Sequence, residues 1–568
     1  MSDRALPRSI SPLTERPGLM GTKARTSATT GAPSDFQEHL ANLEKAGLVT
    51  RIDKPVCKDT EIHPLVRWQF LGGYPEAERR AFVFTNVHGA KGEKYDIPVV
   101  VGALAASEQI YAMGMGVPVD KLGEVWIRGI ATPIPPVLIE KAPCQEVVIT
   151  GAALEKSGGV SQLPVPISTP GFDAAPYLTA TCCVTKDPET GVRNMGTYRA
   201  GLKAWDRLGV RMASRLSGAG GYAHWLKYQK LGQPMPCAIV LGAAPVVAFT
   251  GPQKLSVDQD EMAVAGGLAG RAMRVVRCKT VDLEIPADAE IVVEGLIDTA
   301  MLEPEGPFGE SHGHIALEDF NMSMRVTAIT MKKKPVFASI LSEVTPSESS
   351  ILKKSAYEAL FFAHLRNHLE VKGIKRVVMH EPLTNLRKVL FIEMAHGTPQ
   401  SEVWRALNGA ATLQAQCGKI VIAVSEDIDA RNTDAIFWSL AYRFDPKADT
   451  LIVPHKAGGH GPKAGAGGEE SSILMDATLK HKTSPLALPA KKYMDRSRAL
   501  WEELGLPRLP PAQPPWHGYE LGDWAPDWQA FADNAAKGDW VANGINTFGR
   551  MKGGLKPETP VRNVEKSK

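Results

Sequence analysis

Apolar positions recur along the chain with two different periods, and the switches between them divide it. Phe36, Leu40 and Leu43 share one face of a 3.6-residue repeat, with Ser34 placed to cap a helix and Gly47 to end it. LVTRID follows as a short strand, and KDTEIHPLVRWQF reads as a helix after a polar start. FVFTNV and IPVVVGAL read as buried strands, which predicts an α/β unit over 34–146. Over 147–334 short β-type runs dominate, among them YLTATCCVT, CAIVLGAAPVVAF, MRVVRC, EIVVEGLI and MRVTAITM, with PVFASIL completing the series. Gly and Pro turns separate them at close intervals, the pattern of a barrel or split barrel. Over 335–490 helices and strands alternate: ILKKSAYEALFFAHLRNHLE, SEVWRALNGAATLQAQ and NTDAIFWSLAYRF as helices, RVVMHEP, KVLFIEMA and KIVIAVSED as strands. That alternation predicts a second α/β unit with a largely parallel sheet. The fold class expected is therefore α/β (α+β multidomain). Residues 1–33 read as a disordered tail, and 491–568 as an arm without a second core, suited to wrapping a neighbouring subunit.

Composition agrees with several domains. The 568 residues exceed the ~250–300 at which one core stops growing. Hydrophobic residues at 44% and charged residues at 22% describe an ordinary globular protein. The 65 Lys and Arg against 62 Asp and Glu leave a formal charge of +3, too balanced for a nucleic-acid binder. No apolar run approaches the ~20 residues of a membrane span. The first 33 residues lack a secretory apolar stretch, and Pro7, Pro12 and Pro17 interrupt any long helix there, so a cytoplasmic location is expected. Seven cysteines, odd in number and without a CxxC pair, read as buried free thiols in a reducing compartment.

Two short segments carry candidate chemistry. Glu305-Gly306-Pro307-Phe308-Gly309-Glu310 sets two carboxylates five residues apart around a stiff turn, able to face one cavity in unlike environments. Asn194-Met195-Gly196-Thr197-Tyr198-Arg199 offers an amide oxygen for a hard cation and a planar fork for a carboxylate. Taken alone, each is more simply an acidic surface turn or a strand with one polar edge. Other features tempt less. His312 and His314 would share a face of a strand, and pocket lining suits them better than metal ligation. Gly458 to Gly468 lacks the Walker spacing and reads as a loop, and Lys332-Lys333-Lys334 as a solvated turn.

Taken together and in order, the motifs resemble the UbiD family of decarboxylases. The landmarks are LPVPISTPGFDAAPYLTA (163–180), RNMGTYR (193–199), MPCAIVLGAAP (235–245), DEMAVAGGLAG (260–270), VVRCKTVDLEIPADAEIVVEG (275–295), EPEGPFGE (303–310) and KIVIAVSEDIDARN (419–432). The resemblance implies an α/β N-terminal domain, a split-barrel domain binding prenylated FMN and an α/β oligomerisation domain. It implies a catalytic network of Glu305, Arg199 and Glu310, in which Arg199 holds the substrate carboxylate, Glu305 orients Arg199, and Glu310 protonates the carbon that loses CO2. Loss of CO2 leaves an electron pair that ordinary side chains cannot take up, so a cofactor must. The resemblance further implies cofactor binding at Asn194, Arg199, Glu261 and Lys419. A divalent metal (Mn2+, with Fe2+ or Mg2+ as alternatives) would sit at Asn194 and Glu261, with K+ nearby. The family's third metal position, often His, falls at Gly218 here, and His224 lies six residues on. Expected partners are a small carboxylic acid, a flavin prenyltransferase as cofactor supplier, and further copies of the chain in a homodimer or homohexamer. The readings carried forward are a reversible non-oxidative decarboxylase of an aromatic or α,β-unsaturated acid, or of an aroyl-CoA thioester of the phthaloyl-CoA type. A flavin oxidoreductase and a silent partner subunit stand against them. No dinucleotide fingerprint supports the first of these rivals, and the complete acid-base set speaks against the second.

Overall fold

The computed structural model describes residues 31–212, 220–253, 255, 259–414, 417–457, 469–481, 484–509, 522–551 and 553. The chain divides into two compact units, one ending at Ala356 and the other beginning at Tyr357.

The first unit opens with the helix Phe36–Lys45, which buries Phe36, Leu40 and Leu43 as its periodicity requires. Its cap is Asp35 rather than Ser34: the Asp35 carboxylate accepts the Glu38 N–H at 2.7 Å. Ser34 instead donates its backbone N–H to Glu38 at 2.7 Å, the reciprocal half of a capping box shifted by one residue. Val49–Ile52, Ala81–Phe84 and Val99–Val101 form a small sheet, and Phe337–Ser339 joins it parallel to Val99–Val101. PVFASIL therefore belongs with this sheet and not with the β-rich set that precedes it.

The larger sheet has nine strands, every pairing antiparallel. Its order is Arg193–Gly196, Thr181–Lys186, Met235–Leu241, Ile291–Glu305, Asp319–Met331, Arg207–Val210, Ala200–Ala204 and Tyr177–Leu178, with Val147–Thr150 also against Asp319–Met331. The order places Gly196 near one end and Ala200 near the other, yet only three residues join them. Two residues likewise join Leu178 to Thr181 across the same gap. Links this short span no more than about 15 Å, so the sheet curls until its two ends meet along a seam. Tyr198 ties the seam: its carbonyl accepts the Thr181 hydroxyl at 2.6 Å. The second half of CAIVLGAAPVVAF leaves the sheet, because Pro245 starts the helix Pro245–Thr250.

The second unit carries a five-stranded sheet in the order Ile374–Met379, Val389–Met394, Ile420–Ser425, Glu469–Ala477, Thr450–Ala457. Its two inner pairings are parallel and its two outer ones antiparallel, a mixed sheet where alternation alone suggested a largely parallel one. Successive side chains serve opposite faces: Leu390, Ile392 and Val421 pack with Val403, Leu407 and Phe361, while Phe391, Ile422 and Val424 pack with Ala435 and Ile436. The helices Lys491–Glu503, Pro526–Ala536 and Trp540–Phe548 bury no residue. Six cysteines are buried and Cys278 is half-buried, all of them free thiols. Among the described residues no helix is long and apolar enough to cross a membrane.

Candidate active site

Arg199 sits in the three-residue link that closes the seam, so the curl of the sheet fixes where its backbone lies. Its side chain is nearly buried, at 8% exposure, and Glu305 is wholly buried at 0%. The two form a two-pronged pair: Nε to Oε1 at 2.8 Å and Nη2 to Oε2 at 2.9 Å. On the other flank Nη1 donates to Glu310 Oε1. Burial alone would weaken the charge of Arg199, but Glu310 and Glu305 more than offset it and raise its pKa. The structure thus brings Arg199, Glu305 and Glu310 together. Glu305 ends the long strand Ile291–Glu305, Gly306 and Pro307 turn the chain, and Glu310 follows the short strand Phe308–Gly309.

Several residues that frame this triad went unassigned in the sequence. Phe308 lies under the guanidinium, 4.4 Å from ring centroid to Cζ, and Tyr177 packs on Phe308 at 4.4 Å between centroids. Burial and the neighbouring Glu305 push the Tyr177 phenol well above its usual pKa. Asn321 donates to Glu305 Oε2 at 3.3 Å while its own Oδ1 stays buried without a partner. Asp173 holds the arm that carries Glu310, accepting the N–H of Gly309 at 2.8 Å and of Thr169 at 2.8 Å. Gly309 is required there, because a Cβ would lie 2.0 Å from Thr169 Oγ1. Tyr177, Asp173, Phe308 and Gly309 lie within the quoted landmarks; Asn321 lies outside them, and no local signal marks it. His312 and His314 occupy the turn after Glu310, not a strand, with ring centroids 6.0 Å apart. Burial lowers the pKa of His312.

Asn194 and Glu261 lie in the same unit. Asn194 stands on the seam strand Arg193–Gly196, and Glu261 opens the helix Glu261–Ala269 behind the cap Asp260. Glu261 accepts the N–H of Met195 at 2.9 Å. Burial lifts its carboxyl to about 7. The nearby cation Arg193 is already engaged by Asp260 at 3.3 Å and Glu284 at 3.6 Å. Asn194 faces the helix Gly220–Leu231 so closely that a Cβ on Gly220 would fall 1.9 Å from Asn194 Oδ1. His224, one turn along that helix, contacts Thr185 Oγ1 through Nδ1 at 2.9 Å. Gly218 lies outside the described residues, as does the Gly-rich stretch 458–468. Among the described residues no three His, Cys, Asp or Glu side chains converge as a metal cluster. Lys419 lies in the second unit, its Nζ 3.7 Å from Glu470 Oε1.

A buried arginine gripped by two carboxylates at the seam of a curled antiparallel sheet has the groups to hold a substrate carboxylate, and sequence comparison gives the class of protein. Three profiles of the 3-octaprenyl-4-hydroxybenzoate carboxy-lyase family match in order: the N-terminal domain over 40–129, the Rift-related domain over 137–344 and the C-terminal domain over 350–477. The chain belongs to the UbiD family and is a carboxy-lyase. An uncharacterized protein of Synechocystis sp. is 29% identical over 445 residues, 74% of this chain and 84% of its own. The UbiD-class enzyme HmfF from Pelotomaculum thermopropionicum, solved with FMN, superposes with a TM-score of 0.70 at 28% identity, over 81% of this chain and 96% of that one. An evolved dimeric form of HmfF, solved with prenylated FMN, gives 0.70 at 27% identity, over 81% and 98%. The vanillic acid decarboxylase of Sedimentibacter hydroxybenzoicus in its open form shares the fold, with a TM-score of 0.69 at 24% identity over 83% and 99%.

Proposed function

We propose that this enzyme is a prenylated-FMN-dependent, reversible, non-oxidative decarboxylase of an aromatic or α,β-unsaturated carboxylic acid. The observation that carries the reading is the Arg199 guanidinium, buried and held on both flanks by Glu305 and Glu310. Prenylated FMN would supply the electron sink that no side chain offers. Arg199 binds the substrate carboxylate with the N–H groups that Glu305 and Glu310 leave free. Glu305 and Asn321 keep the guanidinium from turning. Phe308 and Tyr177 exclude water, which favours release of neutral CO2 over retention of a solvated carboxylate. The carbon–carbon bond to the carboxyl breaks, CO2 departs, and Glu310 in its acid form gives its proton to the carbon left behind. In the reverse direction the same carboxylate takes that proton back.

The oxygen donors Asn194 and Glu261 would hold a hard divalent cation such as Mn2+, with Fe2+ or Mg2+ as alternatives, which together with K+ would neutralise the charge of the cofactor phosphate. A cation there would favour the carboxylate form of Glu261, which burial disfavours. Lys419 is the basic residue assigned to the phosphate. The domain limits 34–146, 147–334 and 335–490, the arm 491–568, cytoplasmic location, supply of the cofactor by a flavin prenyltransferase and assembly as a homodimer or homohexamer complete the reading.

The test uses protein co-produced with a flavin prenyltransferase and purified without oxygen. Prenylated FMN identified by absorption and mass, with CO2 released from aromatic or cinnamic-type acids, is the expected result. Arg199→Ala is expected to abolish both acid binding and CO2 release. Plain FMN with nicotinamide oxidation would overturn the reading.

A further inference from the structure

Arg67 stands on the helix Ile62–Leu71, in the same unit as the site but outside the chemistry above. Its side chain is mostly buried, and it spends its donors on three consecutive residues. Nη1 donates to the carbonyl of Val344 at 2.8 Å, and Nη2 donates to the carbonyl of Ser342 at 2.9 Å. Nη2 also meets the carboxylate of the buried Glu343 in an ion pair. Glu343 lies between the two carbonyls with φ at +54°, in the left-handed region that residues with a side chain rarely adopt. Such a conformation persists where its surroundings over-determine it. Here one guanidinium grips the residue before, the residue itself and the residue after. A planar fork can do this, whereas an ammonium is a single point.

The segment so held lies against the arm that carries Glu310. A Cβ on Gly309 would fall 2.9 Å from Glu343 Cγ, and a Cβ on Gly313 would fall 3.7 Å from Val344 Cα. Gly309 and Gly313 bracket Glu310 in the turn. Within that turn the Glu310 N–H donates to the His314 carbonyl at 3.1 Å, and the Gly313 N–H to the Glu310 carbonyl at 2.9 Å. Because the two glycines carry no side chain, Glu343 and Val344 rest directly on the backbone of the arm, and a shift of one reaches the other. The contacts therefore run from Arg67 through 342–344 to Glu310, and Glu310 meets Arg199.

We propose that Arg67 is a positioning residue for the proton donor: it fixes 342–344, and that segment holds Glu310 where its carboxyl proton passes to the carbon that has lost CO2. The inference rests on the decarboxylase reading. It assigns Arg67 to proton delivery and leaves binding of the acid to Arg199. The test is a double-mutant cycle on the flavin-loaded holoenzyme, with Arg67→Met made in the native enzyme and in Glu310→Gln. The probe is whichever aromatic or cinnamic-type acid the native enzyme decarboxylates fastest. The readouts are kcat, KM, flavin occupancy and exchange of the product's hydrogen with D2O. In the native background Arg67→Met is expected to lower kcat and the exchange rate together by about tenfold or more, with KM and flavin occupancy within about twofold. Glu310→Gln has no proton to place, so there the same substitution is expected to cost no more than about twofold. Arg67→Lys, which keeps the charge but not the fork, is expected to recover part of the loss. If Arg67→Met fails to fold, Glu343→Gln, which keeps the shape and removes the ion pair, goes through the same cycle with the same pattern expected. Equal fold-losses in the two backgrounds, or a loss confined to KM or flavin occupancy, would overturn the assignment while leaving the decarboxylase reading in place. A native enzyme that neither releases CO2 nor exchanges hydrogen would overturn that reading and this inference with it.

Discussion

At the scale of single residues the site is a balance of buried charge. Arg199, Glu305 and Glu310 stabilise one another, and a buried pair broken on one side typically costs about 3–5 kcal/mol. Glu305→Ala is therefore expected to lower stability by about that amount, read from urea unfolding, and to abolish turnover. Glu310→Gln keeps the shape and a hydrogen-bonding group but has no proton to give. It is expected to retain flavin and lose about 10²- to 10⁴-fold in kcat, the usual worth of a positioned acid. Normal CO2 release by that variant would remove Glu310 as the donor. The triad was legible because its residues sit in two compact motifs. Asn321 was not, because it is ordinary in its own segment. Only the register that pairs the strand Asp319–Met331 with Ile291–Glu305 brings it beside Glu305.

At the scale of elements, the arm Phe308–Gly309 depends on a clamp from outside its own strand. Asp173 Oδ1 and Oδ2 accept one backbone N–H each, from Gly309 and Thr169. Asp173→Asn can accept only one of them, because its second atom is an amide nitrogen. The variant is expected to keep flavin and KM within a few-fold while kcat falls about tenfold or more, through a loosened Glu310. An unchanged kcat would show that the turn Gly306–Pro307 positions Glu310 unaided. Periodicity located the helices Phe36–Lys45, Ile62–Leu71, Glu348–Ala363, Gln400–Leu413 and Thr433–Arg443 and the most apolar strands, but not the helices Glu108–Met115, Leu122–Ala131 and Gly220–Leu231 or the strands Thr450–Ala457 and Glu469–Ala477. It failed where one apolar run held two structures, as in CAIVLGAAPVVAF, where Pro245 begins a helix. It also failed where partners lie far apart in sequence, as for Phe337–Ser339 beside Val99–Val101. A local pattern reports which face is buried, not which distant strand it meets.

At the scale of the whole molecule, buried ionisable groups outside the site pull stability in opposite directions with pH. His39 and His63 are wholly buried, and burial lowers their pKa values to about 4 and about 3. The unfolded chain takes up their protons first, so their contribution is complete above pH 6.5 and is lost as pH falls through the folded values. Between pH 7 and pH 5 His39 alone accounts for a loss of about 2 kcal/mol. Glu348 runs the other way. Burial raises it to about 7, although it accepts N–H bonds from Gly102, Leu104, Ala105 and Leu341. Its contribution is complete below the unfolded value near 4.5 and is lost as pH rises through 7, so moving from pH 7 to pH 5 restores about 2 kcal/mol. His63 adds a loss like that of His39, so these three groups together are expected to cost the native protein about 2 kcal/mol from pH 7 to pH 5. Glu348→Gln should steepen that decline and His39→Gln flatten it, both read from thermal midpoints. The seam suggests a last consequence, in the currency of gene length. Loops on this fold tolerate inserted residues at little cost, but the link from Gly196 to Ala200 both joins the ends of the sheet and holds Arg199. One codon added or removed there would shift the guanidinium along the gap it bridges. Length variation among working descendants of this gene should therefore fall everywhere except between those two glycine and alanine positions.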